Sequence, residues 1–263
     1  MIQFNIKRFG KLACWSLAND KRYFIKSFLQ IFVVLLLLFL FMTMMANQNE
    51  IPGYRVCALA VVMMFAVTIP IGPSFMFYSM ENKHDMQNLL MLPASNFEKY
   101  LMRYATWIIL LPIYLVAFFA ADLLQYVLHW VMVFNGYNSG EFVCTAVVEM
   151  ISKLYHQVPA EVRHIGVNYV LITVSWLHSF FALGATFFRT RKYNWVYTSI
   201  VIVLLFVLMV FISDDGGDAT YKTPTTSELI MADVVTGIWV ALNFCLSYIL
   251  FCRRQVIGKF VNI

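Results

Sequence analysis

Few residues in this sequence could do chemistry, and they stand apart. Asp122 lies in the run VAFFAADLLQYVLHW and His178 in VSWLHSFFALG, each within a long apolar stretch. An ionisable group in such a stretch is costly to bury, so it marks an ion- or proton-handling site unless a neighbouring helix satisfies it. Neither residue is spaced with further titratable groups to form a relay. The expectation is structural: Asp122 at the outer end of its run, and His178 bonded to a Ser or a carbonyl of another helix. None of the five His residues (His84, His129, His156, His164, His178) stands in an HExxH frame or its reverse, which argues against a zinc peptidase. Ser139, in Asn138-Ser139-Gly140, falls in a connection rather than a buried turn. No GxxxxGK[ST] is present, so the chain does not hydrolyse ATP through that motif. The Asp214-Asp215-Gly216-Gly217-Asp218 cluster lacks the alternating oxygens and distant bidentate Glu of a calcium loop and reads as a solvated turn. No metal or cofactor is expected on this chain, and no enzymatic activity of its own.

The informative segment lies elsewhere, at residues 81–103. Asp85 can cap a short helix whose apolar face comprises Met86, Leu89, Leu90 and Leu92. Pro93 ends it, because the residue before a proline is pushed away from helical angles. Ser95 and Glu98 then form a capping box that starts a second helix running through Lys99 and Arg103. The expected product is a rigid, partly apolar elbow, suited to docking a partner; an interfacial turn resting on lipid is the plainer alternative.

The elements that hold these residues are apolar helices. Of 263 residues, 61% are hydrophobic and 13% charged, with 24 Phe and 15 Met. A soluble domain carries about twice that charge, so the fold class expected is an all-α integral membrane protein. Six runs reach the roughly 20 residues a span needs: 27–46, 55–80, 104–127, 166–188, 195–212 and 232–252. Residues 1–26, with Phe9, Leu12, Trp15 and Leu17 among Lys7, Arg8 and Lys11, read as an interfacial helix in contact with membrane lipid and not as a cleaved signal. The break at Asn19-Asp20 separates it from the first span. Residues 128–165 form a long outer loop whose middle, 141–155, is amphipathic and too short to span, an interfacial or re-entrant helix. Residues 1–263 make a single transmembrane domain, without internal repeats.

Orientation follows from Lys and Arg, which accumulate on the cytoplasmic side. Lys7, Arg8, Lys11, Lys21, Arg22 and Lys26 precede the first span; Lys83, Lys99 and Arg103, then Arg189, Arg191 and Lys192, then Arg253, Arg254 and Lys259 fall on the same side. That is 15 of the 19, leaving Arg55, Lys153, Arg163 and Lys222 opposite. Both termini are therefore expected in the cytoplasm. The net charge of +5 is distributed between spans rather than in a stripe, which argues against nucleic acid. The five Cys have no CxxC spacing; most read as small buried apolar groups, and pairing of Cys57 with Cys144 is left open.

In this setting the phrase Leu90-Met-Leu-Pro-Ala-Ser-Asn-Phe-Glu-Lys-Tyr-Leu-Met-Arg103 resembles the second cytoplasmic connection in membrane (permease) subunits of ABC transporters of the type-2 exporter class. The likeness in architecture covers the whole chain: an amino-terminal interfacial helix, six spans, both ends inside. It implies that Asp85 through Leu92 form the coupling helix seated on a separate ABC ATPase subunit, and Pro93 through Glu98 the following elbow. It further implies a second permease subunit, identical or related, ATP and Mg on the partner ATPase, and a bacterial inner (plasma) membrane location. Spans two and five line the pathway in that family, so Phe65, Phe75, Phe77 and Tyr78 become candidate lining, with Pro70 and Pro73 bending the second span. A hydrophobic or amphipathic substrate would suit that lining. Two departures stand out: the connection 214–231 is short where the family often has a re-entrant hairpin, and the largest outer segment lies between spans three and four. Two other classes compete. A non-transporting sensor or assembly partner predicts an elbow tolerant of charge reversal. An intramembrane enzyme predicts loss of activity on replacing Asp122 or His178.

Overall fold

The computed structural model describes residues 4–49, 53–78, 87–89, 91–133, 141–188, 193–213 and 225–253. Among them the chain is helical, without strands. Numbered in order, the helices are α1 (Ile6–Asn19), α2 (Lys21–Asn49), α3 (Gly53–Ile71), α4 (Asn96–Val133), α5 (Val143–Gln157), α6 (Ala160–Phe187), α7 (Asn194–Ser213) and α8 (Thr226–Cys252). Among the described residues six helices are long and apolar enough to cross a membrane: α2, α3 with its continuation to Phe77, α4, α6, α7 and α8. The chain is a multi-pass helical membrane protein.

Several helices overrun the apolar runs that define them. α2 starts at Lys21, since Lys, Arg and Phe sustain a helix ahead of the apolar core. The break from α1 is one residue, Asp20, whose carboxylate accepts the Ser16 hydroxyl at 3.1 Å. α4 absorbs the second half of the elbow and continues to Val133 through Pro112. α8 begins at Thr226 because Thr225 and Glu228 make a capping box.

The described helices form two compact units by contact. One comprises Met1–Ala13, Ile69–Ala105 and Ile165–Ile263; the other Cys14–Thr68 and Thr106–His164. In the second unit the core is Leu35 and Phe39 of α2, Cys57 and Val61 of α3, Phe118 and Ala121 of α4, and Val143 of α5. Phe39 and Phe118 meet edge to face, with ring centroids 6.1 Å apart. Cys57 and Cys144 are free thiols.

In the first unit polar side chains stitch α4, α6 and α8 together, as expected where lipid offers no competing hydrogen bonds. Asn168 donates to Asp233 at 2.9 Å, Asn243 to Ser179 at 3.0 Å, and Ser247 to the Ala182 carbonyl at 3.0 Å. Both helices advance in the same sense through these pairs, so α6 and α8 run parallel, as two helices with one span between them must. α4 runs antiparallel to α8: Tyr100 packs on Phe251 and Tyr248, Tyr104 on Phe244. α7 returns against α6, with Thr198 set close over Gly184. A Cβ there would fall 2.0 Å from Thr198 Oγ1.

Candidate functional site

The elbow begins with Gln87–Leu89 and Met91 in helical conformation. Leu89 is fully buried while Met91 is 81% exposed, which gives the segment an inward and an outward face. The chain then turns: Leu92 donates its N–H to the Leu89 carbonyl at 3.4 Å, and Ala94 to the Leu92 carbonyl at 2.8 Å. Pro93 is exposed and Ala94 buried. Ser95 and Glu98 close the capping box in both directions: Glu98 N–H donates to Ser95 Oγ at 3.2 Å, and Ser95 N–H to Glu98 Oε2 at 2.8 Å. Asp85, Met86 and Leu90 lie outside the described residues.

Glu98 does more than cap its own helix. Its side chain is fully buried and accepts the Arg8 guanidinium through both oxygens, Nε to Oε2 at 2.8 Å and an Nη to Oε1 at 2.7 Å. The Asn5 backbone N–H donates to the same Oε1 at 2.7 Å. With Ser95, that makes a carboxylate holding four donors from two segments about 90 residues apart in sequence. The bond to the carboxylate raises the Arg8 pKa above its ordinary value. Asn5 is preorganised for this, because its side chain caps α1 by accepting the Lys7 N–H at 2.9 Å. Phe4 packs edge to face on Phe97 beside the clamp, with centroids 6.0 Å apart. The sequence offered Ser95-x-x-Glu98 but not its second ligand set. An Arg one turn into a basic helix looks like any other interfacial cation until the fold places it.

The second polar centre explains a break in α3. Past Ile71 the chain tightens to a 3-10 helix over Gly72–Phe77. Pro73 has no N–H, so the Ile69 carbonyl loses the partner an α-helix would give it. His178 of α6 fills the gap, with Nδ1 at 2.8 Å from the Ile69 oxygen. A carbonyl only accepts, so Nδ1 carries the proton. In the neutral ring Nε2 then accepts the Tyr104 hydroxyl at 2.6 Å. Close by, Asn194 donates to the Ser74 carbonyl at 2.8 Å. Both imidazole nitrogens are therefore committed to holding helices together.

Asp122 is likewise committed. It is buried, and its two oxygens accept the Val143 N–H at 2.7 Å and the Cys144 N–H at 3.0 Å. It caps α5 from another helix, a role that satisfies two of the orphan donors at a helix start. Among the described residues no group of three or more His, Cys, Asp or Glu is placed to hold a metal; Asp214, Asp215 and Asp218 lie outside them.

The candidate pathway residues divide between the units. Phe65 packs against the core of the second. Pro70 and Pro73 are buried in the first, where Phe75 and Tyr78 meet edge to face at 6.1 Å. Phe77, between them, is buried and stacks on Phe251 at 6.0 Å. No protein-family model, curated protein or solved structure matches the chain.

Proposed function

We propose that this chain is the membrane subunit of an ATP-driven ABC exporter of the type-2 class, with both termini in the cytoplasm of a bacterial inner membrane. A separate ATPase subunit supplies ATP hydrolysis and binds at the elbow, and a second permease subunit completes the pathway. A hydrophobic or amphipathic substrate crosses.

The observation that carries this reading is the Glu98 clamp. A loop that only joins two spans has no need for a buried carboxylate with four donors. A lever does. Glu98 lies in the first turn of a 38-residue continuous helix, α4. A push on the segment around Met91 and Pro93 therefore passes into a spanning helix without being absorbed by a flexible joint. α1 is drawn along, because Asn5 and Arg8 grip the same carboxylate. Rigid-body rocking of this kind is how packed helices alternate access.

Cross-linking in intact membranes followed by affinity purification in mild detergent tests the reading. Recovery of a P-loop ATPase with the tagged chain, lost when Met91 and Pro93 are replaced by Asp, supports it. Purification without any ATPase, or an ATPase that remains bound to the doubly substituted chain, refutes it.

A further inference from the structure

We propose that α5 is a lipid-docking helix. It is pinned by Asp122 at the bilayer surface, with its apolar stripe set into the acyl boundary of the same membrane.

Fifteen residues long, α5 reaches about 22 Å and falls short of a roughly 30 Å hydrocarbon core. Its first half is built into the protein, with Val143 and Ala146 buried and Val147 packed against the core, while residues 151–160 are exposed without exception. Those exposed turns are not uniformly polar. Val148 (63% exposed), Ile151 (52%), Leu154 (54%) and Tyr155 (51%) recur at intervals of three and four residues and make one stripe, and Val158 (39%) follows it in extended backbone. Glu149, Ser152, Lys153 and His156 occupy the opposite face, with Lys153 and Glu149 paired. A soluble environment would leave this stripe in water.

Its depth follows from its anchor. Both Asp122 oxygens hold the α5 amino terminus, so that terminus lies level with Asp122. From Arg103, the last cation before the apolar run, to Asp122 is 19 residues. At helical rise that is about 29 Å, the thickness of a hydrocarbon core. α5 thus starts where acyl chains meet headgroups. On α4 too, Leu123, Val127 and Val131 leave an apolar surface exposed. At the far end Arg163 lies 4.2 Å over the Tyr155 ring and donates to the Val158 carbonyl at 3.1 Å. An aromatic ring and a cation at one level suit the interface, where the ring is half-buried and the cation meets phosphate.

A photo-crosslinking residue placed at Leu154, and separately at His156, tests this in intact membranes, with products read by intact-mass spectrometry. Phospholipid adducts several-fold more abundant at position 154 than at 156 are expected. Adducts to a second copy of the chain, to another protein, or equal lipid yields at both positions overturn the proposal. The anchor is tested with Asp122→Asn, which keeps the volume and leaves one carbonyl oxygen as acceptor, and with Asp122→Ala, which leaves none. In variants that elute as the parent does, the lipid yield at 154 is expected to fall in the order parent, Asn, Ala. An unchanged yield in Asp122→Ala refutes the pinning.

Discussion

The bond from His178 to Ile69 makes a quantitative prediction, because its cause is a missing proton on another residue. Pro73 takes away the N–H that an α-helix would present to the Ile69 carbonyl, and His178 replaces it at 2.8 Å while receiving Tyr104 at 2.6 Å. In His178→Leu the carbonyl and the Tyr104 hydroxyl both lose these partners within a spanning segment, where water is scarce. Interhelical hydrogen bonds in membrane proteins average about 0.6 kcal/mol and reach about 1.7. Two such bonds, plus a carbonyl with no helical alternative, give a loss of about 2 kcal/mol. The informative step is the second substitution. Pro73→Ala restores an N–H to the Ile69 carbonyl and lets α3 continue as an α-helix. In the parent it should change stability little, since His178 already serves the carbonyl. In the His178→Leu background it should recover about 1 kcal/mol, with the Tyr104 share still lost. Reversible unfolding in mixed micelles, followed by circular dichroism for the four chains of the cycle, measures the coupling. A coupling near zero would mean that Pro73 and His178 act independently and would refute the reasoning.

Three further outcomes follow from the geometry. Gly184→Val should separate α6 from α7, because Thr198 presents three atoms within 3 Å of the new Cβ and is itself held by the Asn194 carbonyl at 2.8 Å; a loss of about 3 kcal/mol is expected, and Thr198→Gly should recover most of it. Arg8→Glu should detach residues 4–8 from the elbow, raising cross-linking reactivity of a cysteine placed at Phe4 several-fold. Adding Glu98→Arg should restore the charge pair but not the parent reactivity, since an arginine cannot accept from the Asn5 and Ser95 N–H groups. Asn243→Leu should leave the Ser179 hydroxyl with its own-helix Trp176 carbonyl and cost under about 1 kcal/mol, a modest shift in the same unfolding assay.

The six apolar helices were legible because each is a run of residues that only lipid or a buried core tolerates, and the capping box at Ser95 because its two members lie three residues apart. Both are local signals. Helix ends were less legible: Lys21 through Lys26 extend α2 and Ala160 through Ile165 extend α6, since charged residues are good helix formers and hydropathy marks the apolar interval rather than the helix. What the sequence did not disclose were the partners of its rare polar groups. Glu98 holds Arg8 across 90 residues, and Asp122 caps a helix that begins 21 residues later. His178 bonds a carbonyl 109 residues away. In the last case a clue was present, because every interior proline in a span names the carbonyl it leaves open, four residues back. Pro73 names Ile69, Pro70 names Ala66 and Pro112 names Ile108. Pairing such carbonyls with the few long-reach donors in other spans narrows His178 to a handful of partners before any fold is known. The same logic bears on function. Asp122 and His178 attract attention as lone ionisable residues in apolar runs, yet each has both side-chain heteroatoms taken up by helix packing. Glu98 was legible only as a helix cap, yet its four donors hold the elbow from which the proposed coupling must act.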